Sequence, residues 1–110
     1  MSGALNLFKT TLADITTTTT SVYTPPLGYV TVVLLAQVSN TGTGTVQVSA
    51  NVLRSSVTTS LVSGASIPAG DATSVLTGRL ILQYGDSIQF TSSDDTSAQL
   101  VLSYLETLTA

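Results

Sequence analysis

The stretch Gly28–Asn40 reads GYVTVVLLAQVSN and decides the fold class of this chain. Successive side chains of a β-strand point to opposite faces of its sheet. The even positions from 30 to 38 are all apolar, and the odd positions are polar near the ends but apolar at Val33 and Leu35. β-branched residues and the flanking turn sequences PPLG and NTGTG favour a strand over a helix. We therefore expect a central strand with its even face in a core and the middle of its odd face partly covered.

Shorter segments with the same two-residue period lie on both sides of this strand, separated by turn sequences rich in Gly, Pro, Asn and Asp. Together they give eight or nine short strands and no helical period. This pattern predicts an all-β fold, an antiparallel β-sandwich with jelly-roll-like connectivity. An immunoglobulin-like sandwich is the main alternative, and alternation alone does not separate the two. The predicted strands other than the central one lie near residues 21–24, 45–54, 57–62, 71–76, 79–84, 87–92 and 97–108.

The length of 110 residues predicts one domain. We assign residues 14–110 to a single β-sandwich domain and residues 1–13 to an N-terminal arm or edge strand. Leu5, Leu7 and Phe8 in this first segment need cover, either from their own domain or from a neighbouring molecule. The run Thr16–Thr20 is expected to be a strand or a strand entry, because Thr favours extended structure.

The chain carries very little charge: 8% of its residues, with Lys9, Arg54 and Arg79 as its only cations. Binding to nucleic acid needs several cations to displace counterions, so we expect no nucleic-acid partner. The longest apolar run is too short to span a bilayer, and no signal peptide is recognisable, so we expect no membrane partner. Ser and Thr supply about a third of the residues. Such a surface suits packing against other copies or a larger particle, although a monomer with a hydroxyl-rich surface is the alternative.

The chain has few side chains of the types that carry out catalysis or bind metals. The chain has no His and no Cys, which removes the usual catalytic triads and zinc ligand sets. A Ser-Lys mechanism would depend on Lys9, which lies in the predicted arm or edge strand. Asp94 and Asp95 form the only acidic pair, and a solvated loop tip is favoured over a calcium site there. We therefore expect no enzyme, no cofactor and no metal-binding residue.

Four segments in this order and spacing resemble small virion structural proteins of tailed bacteriophages: Thr18–Asn40, Ser66–Asp71, Leu76–Ser93 and Leu102–Thr107. The resemblance covers about residues 10–108. It implies a β-sandwich module that oligomerises, often as a homotrimer, and decorates or cements a capsid. It carries over no catalytic signature and no active-site residue.

The favoured hypothesis is a phage capsid cement or decoration protein on the capsid surface of a virion. Its expected partners are further copies of itself and the major capsid protein or another virion protein. A tail, neck or baseplate component is the first alternative. The second is a carbohydrate-binding adhesion module, for which Tyr84 beside Gly85 and Asp86 is the nearest candidate. The candidate interface residues are Leu5, Leu7, Phe8, Val33 and Leu35.

Overall fold

The computed structural model describes residues 6–108, which form nine β-strands and no helix. Within those residues there is accordingly no helix long and apolar enough to cross a membrane. The all-β fold class predicted from the two-residue alternation is confirmed. The strands are β1 (Asn6–Ile15), β2 (Thr20–Tyr23), β3 (Tyr29–Asn40), β4 (Val46–Arg54), β5 (Val57–Ile67), β6 (Ala72–Ser74), β7 (Leu80–Leu82), β8 (Ser87–Ser92) and β9 (Ala98–Leu108).

The strands pair as one long hairpin that has been folded over. β4 pairs with β5 at its tip, then β3 pairs with β6 and β7, β2 with β8, and β1 with β9, all antiparallel. The result is sheet I, with the order β1-β9-β3-β6 and β7 also beside β3, and sheet II, with the order β2-β8-β4-β5. This nested pairing is jelly-roll connectivity, as predicted. It differs from the immunoglobulin order, in which the first two strands are neighbours in one sheet.

The core lies between the two sheets and is built by alternation in both. In β4 the side chains of Val46, Val48 and Ala50 are buried, and the residues between them are exposed or half-buried. β9 buries every second residue from Ala98 to Glu106, which confirms its predicted inner face. The largest fully buried side chains are Phe90, Ile15, Ile67, Leu82, Ile88, Leu100 and Leu102.

The central strand β3 contains a β-bulge at Leu34. Val33 pairs with Tyr104 and Leu35 pairs with Ser103, so Leu34 is an extra residue that has no partner in the register of β9. An extra residue interrupts the alternation of side chains between the two faces. Leu34 and Leu35 consequently both lie outside the core, 41% and 37% exposed.

The bulge corrects the prediction that the whole even face of β3 is buried. Even residues are buried only after the bulge, at Ala36 and Val38. Before the bulge the odd residue Thr31 is buried, while Val30 and Val32 are half-buried on the opposite face. The two-residue alternation in the sequence does not reveal that the strand contains one extra residue.

Three segments differ in detail from the sequence-based expectation. β1 runs to Ile15, so the predicted boundary after residue 13 falls inside this edge strand. Residues 16–19 form a loop before β2, and the backbone oxygen of Thr16 accepts a hydrogen bond from the N–H of Ser92 at 2.8 Å. β5 extends to Ile67 rather than ending near residue 62, because Gly64 adopts a φ of +65° at an irregularity instead of starting a turn.

Candidate interaction surface

The outer face of sheet I carries a straight row of apolar side chains that crosses four strands. Phe8 of β1 pairs with Leu105 of β9. Leu105 pairs in turn with Val32 of β3, and Val32 with Ile81 of β7. Phe8 is 76% exposed and Ile81 is 57% exposed, whereas the two middle members are half-buried by their neighbours. We call these four residues the apolar row.

More apolar surface continues along the same face. The two leucines of the bulge lie next to the apolar row, and Leu12 of β1, 73% exposed, pairs with the half-buried Val101 of β9. Between these groups the Oγ1 atom of Thr10 and the Oγ atom of Ser103 are hydrogen-bonded at 3.2 Å. The hydroxyls of Thr10 and Ser103 therefore lie between the apolar row and the pair of Leu12 and Val101, and the row of that pair continues to the polar Gln37 of β3.

The outer face of sheet II has the opposite chemistry. Ser21 of β2 pairs with Gln89 of β8, Gln89 with Asn51 of β4, and Asn51 with Ser60 of β5. The Nε2 atom of Gln89 donates a hydrogen bond to the Oγ atom of Ser21 at 3.3 Å. We call these four residues the polar row. It crosses its sheet in register, as the apolar row does, but presents only hydroxyl and amide groups.

Charged side chains avoid the outer face of sheet I. Within the strands that the structure describes, Asp14 near the end of β1 is the only charged residue on that face. Lys9 and Glu106 lie in sheet I but turn to its inner side, where they form an ion pair. The remaining charged residues lie in loops or at the end of a strand of sheet II: Arg54, Asp71, Arg79, Asp86, Asp94 and Asp95.

Glu106 is the centre of a polar network that joins the two sheets. Its side chain is 3% exposed, and its Oε1 atom lies 2.8 Å from the Nζ atom of Lys9. Its Oε2 atom accepts a hydrogen bond from the hydroxyl of Tyr23 at 2.6 Å. Since that hydroxyl has a single proton, the Oγ1 of Thr31, 2.6 Å away, donates to Tyr23. Lys9, Thr31 and Glu106 belong to sheet I and Tyr23 to sheet II, so the network ties one sheet to the other.

Burial and hydrogen bonding shift the pKa values of Tyr23 and Glu106. Burial raises the pKa of Tyr23 far above its ordinary value, and the hydrogen bond to the Glu106 carboxylate raises it further. For Glu106, burial by itself would raise the pKa, but the hydrogen bonds from Lys9 and Tyr23 outweigh it and keep the pKa below the ordinary 4.5. Glu106 is therefore charged at neutral pH. Both of its oxygens already accept bonds, which is an arrangement that holds β1 and β2 to the sandwich.

A second buried carboxylate is held by Arg54. The guanidinium donates from Nε to Oδ1 of Asp86 at 2.8 Å and from Nη2 to Oδ2 at 2.6 Å, a two-pronged ion pair. The Arg54 hydrogen bond lowers the pKa of Asp86 against the opposing effect of burial, and the N–H of Gln83 helps. Tyr84 beside this pair is 62% exposed, but the Asp86 carboxylate is already occupied. In the candidate carbohydrate site, the tyrosine is thus exposed while the neighbouring carboxylate is bound by Arg54.

The acidic pair in the loop between β8 and β9 caps turns. Asp95 accepts hydrogen bonds from the N–H and the hydroxyl of Thr17, both at 2.8 Å. Asp94 accepts from the N–H of Thr96 at 3.0 Å and from the hydroxyl of Ser97 at 2.9 Å. The bond from Thr96 and the bond from Thr17 are the main causes that lower the pKa values of Asp94 and Asp95 respectively. Among residues 6–108 no group of three or more His, Cys, Asp or Glu side chains is placed to hold a metal ion.

The five interface residues proposed from the sequence fall in different places. Leu5 lies outside the described residues. Leu7 is half-buried on the inner side of β1, whereas Phe8 is exposed and begins the apolar row. Val33 is fully buried, so it is a contact between the sheets with no surface for another molecule. Leu35 is partly exposed at the bulge, and it shares the outer face of sheet I with Phe8.

Sequence reasoning missed three of the four members of the apolar row. Val32 was assigned to the core by alternation, and Leu105 and Ile81 join the row only through strand register. A signal was nevertheless present, because Leu80, Ile81 and Leu82 are three consecutive apolar residues in a short strand. Such a run places apolar groups on both faces, and one of those faces lies outside the core.

Comparisons with known proteins give likenesses in structure but none in sequence family. No protein-family model matches the chain, and no curated protein matches it. A solved chain from Bacillus endospore appendages, which are described as a novel family of disulfide-linked pili, superposes with a TM-score of 0.54 at 13% sequence identity. The match covers 98% of this chain and 91% of that chain. The likeness extends over nearly the whole sandwich, so this chain has a fold similar to that of the appendage subunit.

Proposed function

We propose that this chain is a structural protein of a tailed-bacteriophage virion, most specifically a capsid decoration or cement protein that assembles with copies of itself. The observation that carries the proposal is the apolar row. It crosses a whole sheet on the outside of a chain in which only 8% of residues are charged. Exposed apolar surface that is contiguous rather than scattered marks a site where another molecule packs.

The physical task of such a protein is to bridge neighbouring subunits of a shell that is under internal pressure. A jelly roll suits this task because every strand in it is hydrogen-bonded to others and the two sheets are tied through a rigid core. The Glu106 network and the Arg54–Asp86 ion pair add links between strands that are distant in sequence. These features support a domain that resists mechanical load and binds another molecule through its apolar row.

The structural likeness supports the coarser part of the proposal. The matched appendage subunits are building blocks of a surface assembly, described as joined by disulfides. This chain has no cysteine, so copies of it would have to be held together by non-covalent contacts. The apolar row is the surface in residues 6–108 best suited to supply them. The homotrimer and the capsid partner, by contrast, are expectations that rest on the sequence resemblance.

Immunogold electron microscopy tests the proposal on virus particles purified from the source of this sequence. We expect label distributed over the capsid shell in many copies per particle. Label confined to the tail, neck or baseplate would favour the first alternative. Absence of label from every particle, with the chain present in the same lysate, would contradict a virion role altogether.

A separate experiment addresses the N-terminal arm. Because residues 6–9 belong to β1 and include the ion-paired Lys9, a deletion through residue 9 would damage the sandwich itself. Removal of residues 1–5 leaves β1 intact. If these residues anchor the protein, the truncated chain should fold normally but lose its place on the particle; undiminished incorporation would discard the anchoring role of Leu5.

A further inference from the structure

We infer that the outer face of sheet I is covered by the same face of a second copy, so that the apolar row of each copy packs on the sheet I of the other. The inference rests on the proposed function in that it names the partner of the apolar row. It is argued from the size of the face, its lack of charge and its symmetry.

The face is large enough for a stable contact. The strands β1, β9 and β3 have ten to twelve residues each, and the two three-residue strands β6 and β7 lie beside β3. At a spacing of about 4.8 Å and a rise of about 3.4 Å per residue they give an outer face of roughly 640 Å². A standard-size protein interface takes about 800 Å² from each partner. Corrugation by side chains such as Phe8 and Leu12, which are 76% and 73% exposed, increases the area that would be removed from water.

The electrostatics of the face favour an identical partner. Pairing two copies brings no like charges together over the apolar row, since Asp14 at the far end of β1 is the only charged residue on the strands of that face in the described chain. An uncharged face offers nothing by which a partner of opposite charge would be selected. Apolar area is by contrast complementary to apolar area of the same kind.

The arrangement of side chains is compatible with a two-fold axis. The hydroxyl strip of Thr10 and Ser103 separates the apolar row from the second apolar group, Leu12 and Val101. An axis that runs along this strip, in the plane between two facing sheets, places Phe8 of one copy over Leu12 of the other. The Thr10 hydroxyls of the two copies then meet near the axis. Such an isologous contact uses the same patch twice and closes after two copies.

The polar row explains why the pair does not add further copies through sheet II. Once the two outer faces of sheet I are in contact, each copy presents its sheet II to water, with Ser21, Gln89, Asn51 and Ser60 outward. These side chains are well hydrated and drive no further packing. The pair therefore differs from the homotrimer that the sequence resemblance implies.

Sedimentation equilibrium of the purified protein tests the inference. We expect the wild type to have the mass of two subunits and the variant Phe8→Ser/Ile81→Ser to have the mass of one, its dissociation constant raised roughly 100-fold or more. The matched control is Tyr84→Ser/Val57→Ser. It also replaces an exposed aromatic and an exposed β-branched residue, 62% and 63% exposed, but away from the outer face of sheet I. The control should remain a pair, and circular dichroism should show all three proteins folded.

A monomeric wild type at high concentration would overturn the inference, as would a mass of three or more subunits. Equal dissociation by the control variant would also overturn it, because apolar exposure in general would then be the cause. Crosslinking gives an independent readout, since the chain has no cysteine of its own. Thr10→Cys should form a disulfide-linked pair on mild oxidation, whereas Ser60→Cys on the polar row should not. The reverse result would contradict a contact through the outer face of sheet I.

The outcome is separable from that of the proposed function. A pair that is found in no virus particle would contradict the virion role and leave the face-to-face contact standing. A chain that labels capsids but sediments as a monomer would contradict only the contact between copies.

Discussion

Sheets I and II each present an outer row of four side chains in strand register, and the two rows have opposite chemistry. The apolar row consists of Phe8, Leu105, Val32 and Ile81, and the polar row of Ser21, Gln89, Asn51 and Ser60. Both sheets contribute apolar side chains to the core through their inner faces, so the difference between the outer rows does not arise from forming the core. Scattered apolar residues are normal on any protein surface. Their concentration on one of the two outer faces is the difference on which the proposed contact between copies rests.

The largest effect is expected from deletion of Leu34, because this residue keeps the two halves of β3 in their present orientation. Without the bulge, one half of the strand must turn its buried side chains outward. We expect a loss of more than about 4 kcal/mol in the free energy of unfolding, seen by urea denaturation followed by circular dichroism. Leu34→Ala is the control, and it should cost less than about 1 kcal/mol because this side chain is partly exposed. A deletion variant that is as stable as the control would show that the bulge does not set the faces.

A smaller loss is expected from Glu106→Ala, which removes the tie between the two sheets. The substitution leaves the hydroxyl of Tyr23 without its acceptor, although the half-exposed Lys9 regains water. We expect a loss of about 2–3 kcal/mol in the free energy of unfolding. Glu106→Gln, which keeps an acceptor of the same shape, should lose less. Equal losses in both variants would mean that the charge, rather than the hydrogen bond, dominates.

Acidic pH should weaken the ion pairs that Glu106 and Asp86 form. The pKa values of Glu106 and Asp86 lie below their ordinary values of 4.5 and 3.8 in the folded chain. Groups of this kind stabilise the fold above the unfolded pKa, and that contribution disappears as the pH falls through the folded pKa. The thermal midpoint should accordingly be flat near neutrality and fall below about pH 4.5, less steeply in Glu106→Gln. An unchanged slope in that variant would remove Glu106 from the explanation.

A gain is expected at the turn of sheet II between β4 and β5. Ser55 and Ser56 have φ angles of +51° and +65°, which L-residues adopt with strain. Two-residue hairpins of this type favour Gly at the second position. Ser56→Gly should raise the free energy of unfolding by about 0.5–1 kcal/mol, measured by urea denaturation. Ser56→Val, with a branched side chain, should lower it; a gain in that variant would refute the strain.

The smallest effects on the single subunit are expected on the two rows themselves. Val32→Thr on the apolar row and Ser60→Val on the polar row should each change the free energy of unfolding by only about 0.5 kcal/mol at concentrations where the chain is monomeric. Val33→Thr, one residue away but fully buried, should lose about 2 kcal/mol because a hydroxyl enters the core. Equal losses at Val32 and Val33 would mean that the apolar row is part of the folding core rather than a surface.

Alternation was sufficient to predict the fold class and most strands, because inner faces obey it. β9 alternates without interruption from Ala98 to Glu106, and β4 alternates from Val46 to Ala50, although Val52 of its predicted inner face is only half-buried. The jelly-roll connectivity was favoured by the number of strands in a short chain, although the pairing itself is not written in any local pattern. Which strand lies beside which depends on contacts between residues far apart in sequence.

The candidate surface was harder to predict, for a related reason. Phe8 and Leu35 were identified because they are apolar residues that need cover, but Val32 was assigned to the core, since a single extra residue in β3 reverses the faces. Leu105 and Ile81 become part of a row only when four strands are aligned. Glu106 was placed correctly on the inner face, but its partners Lys9 and Tyr23 come from two other strands.

The nested pairing of the strands also determines when, during synthesis, the apolar row can form. Phe8 lies on the first strand and Leu105 on the last, and these strands are neighbours in sheet I. Phe8 and Leu105 can pair only after β9 has emerged from the ribosome. An incomplete nascent chain on a polysome therefore lacks the complete apolar row. The proposed contact between copies would therefore form only after synthesis of the sandwich is complete.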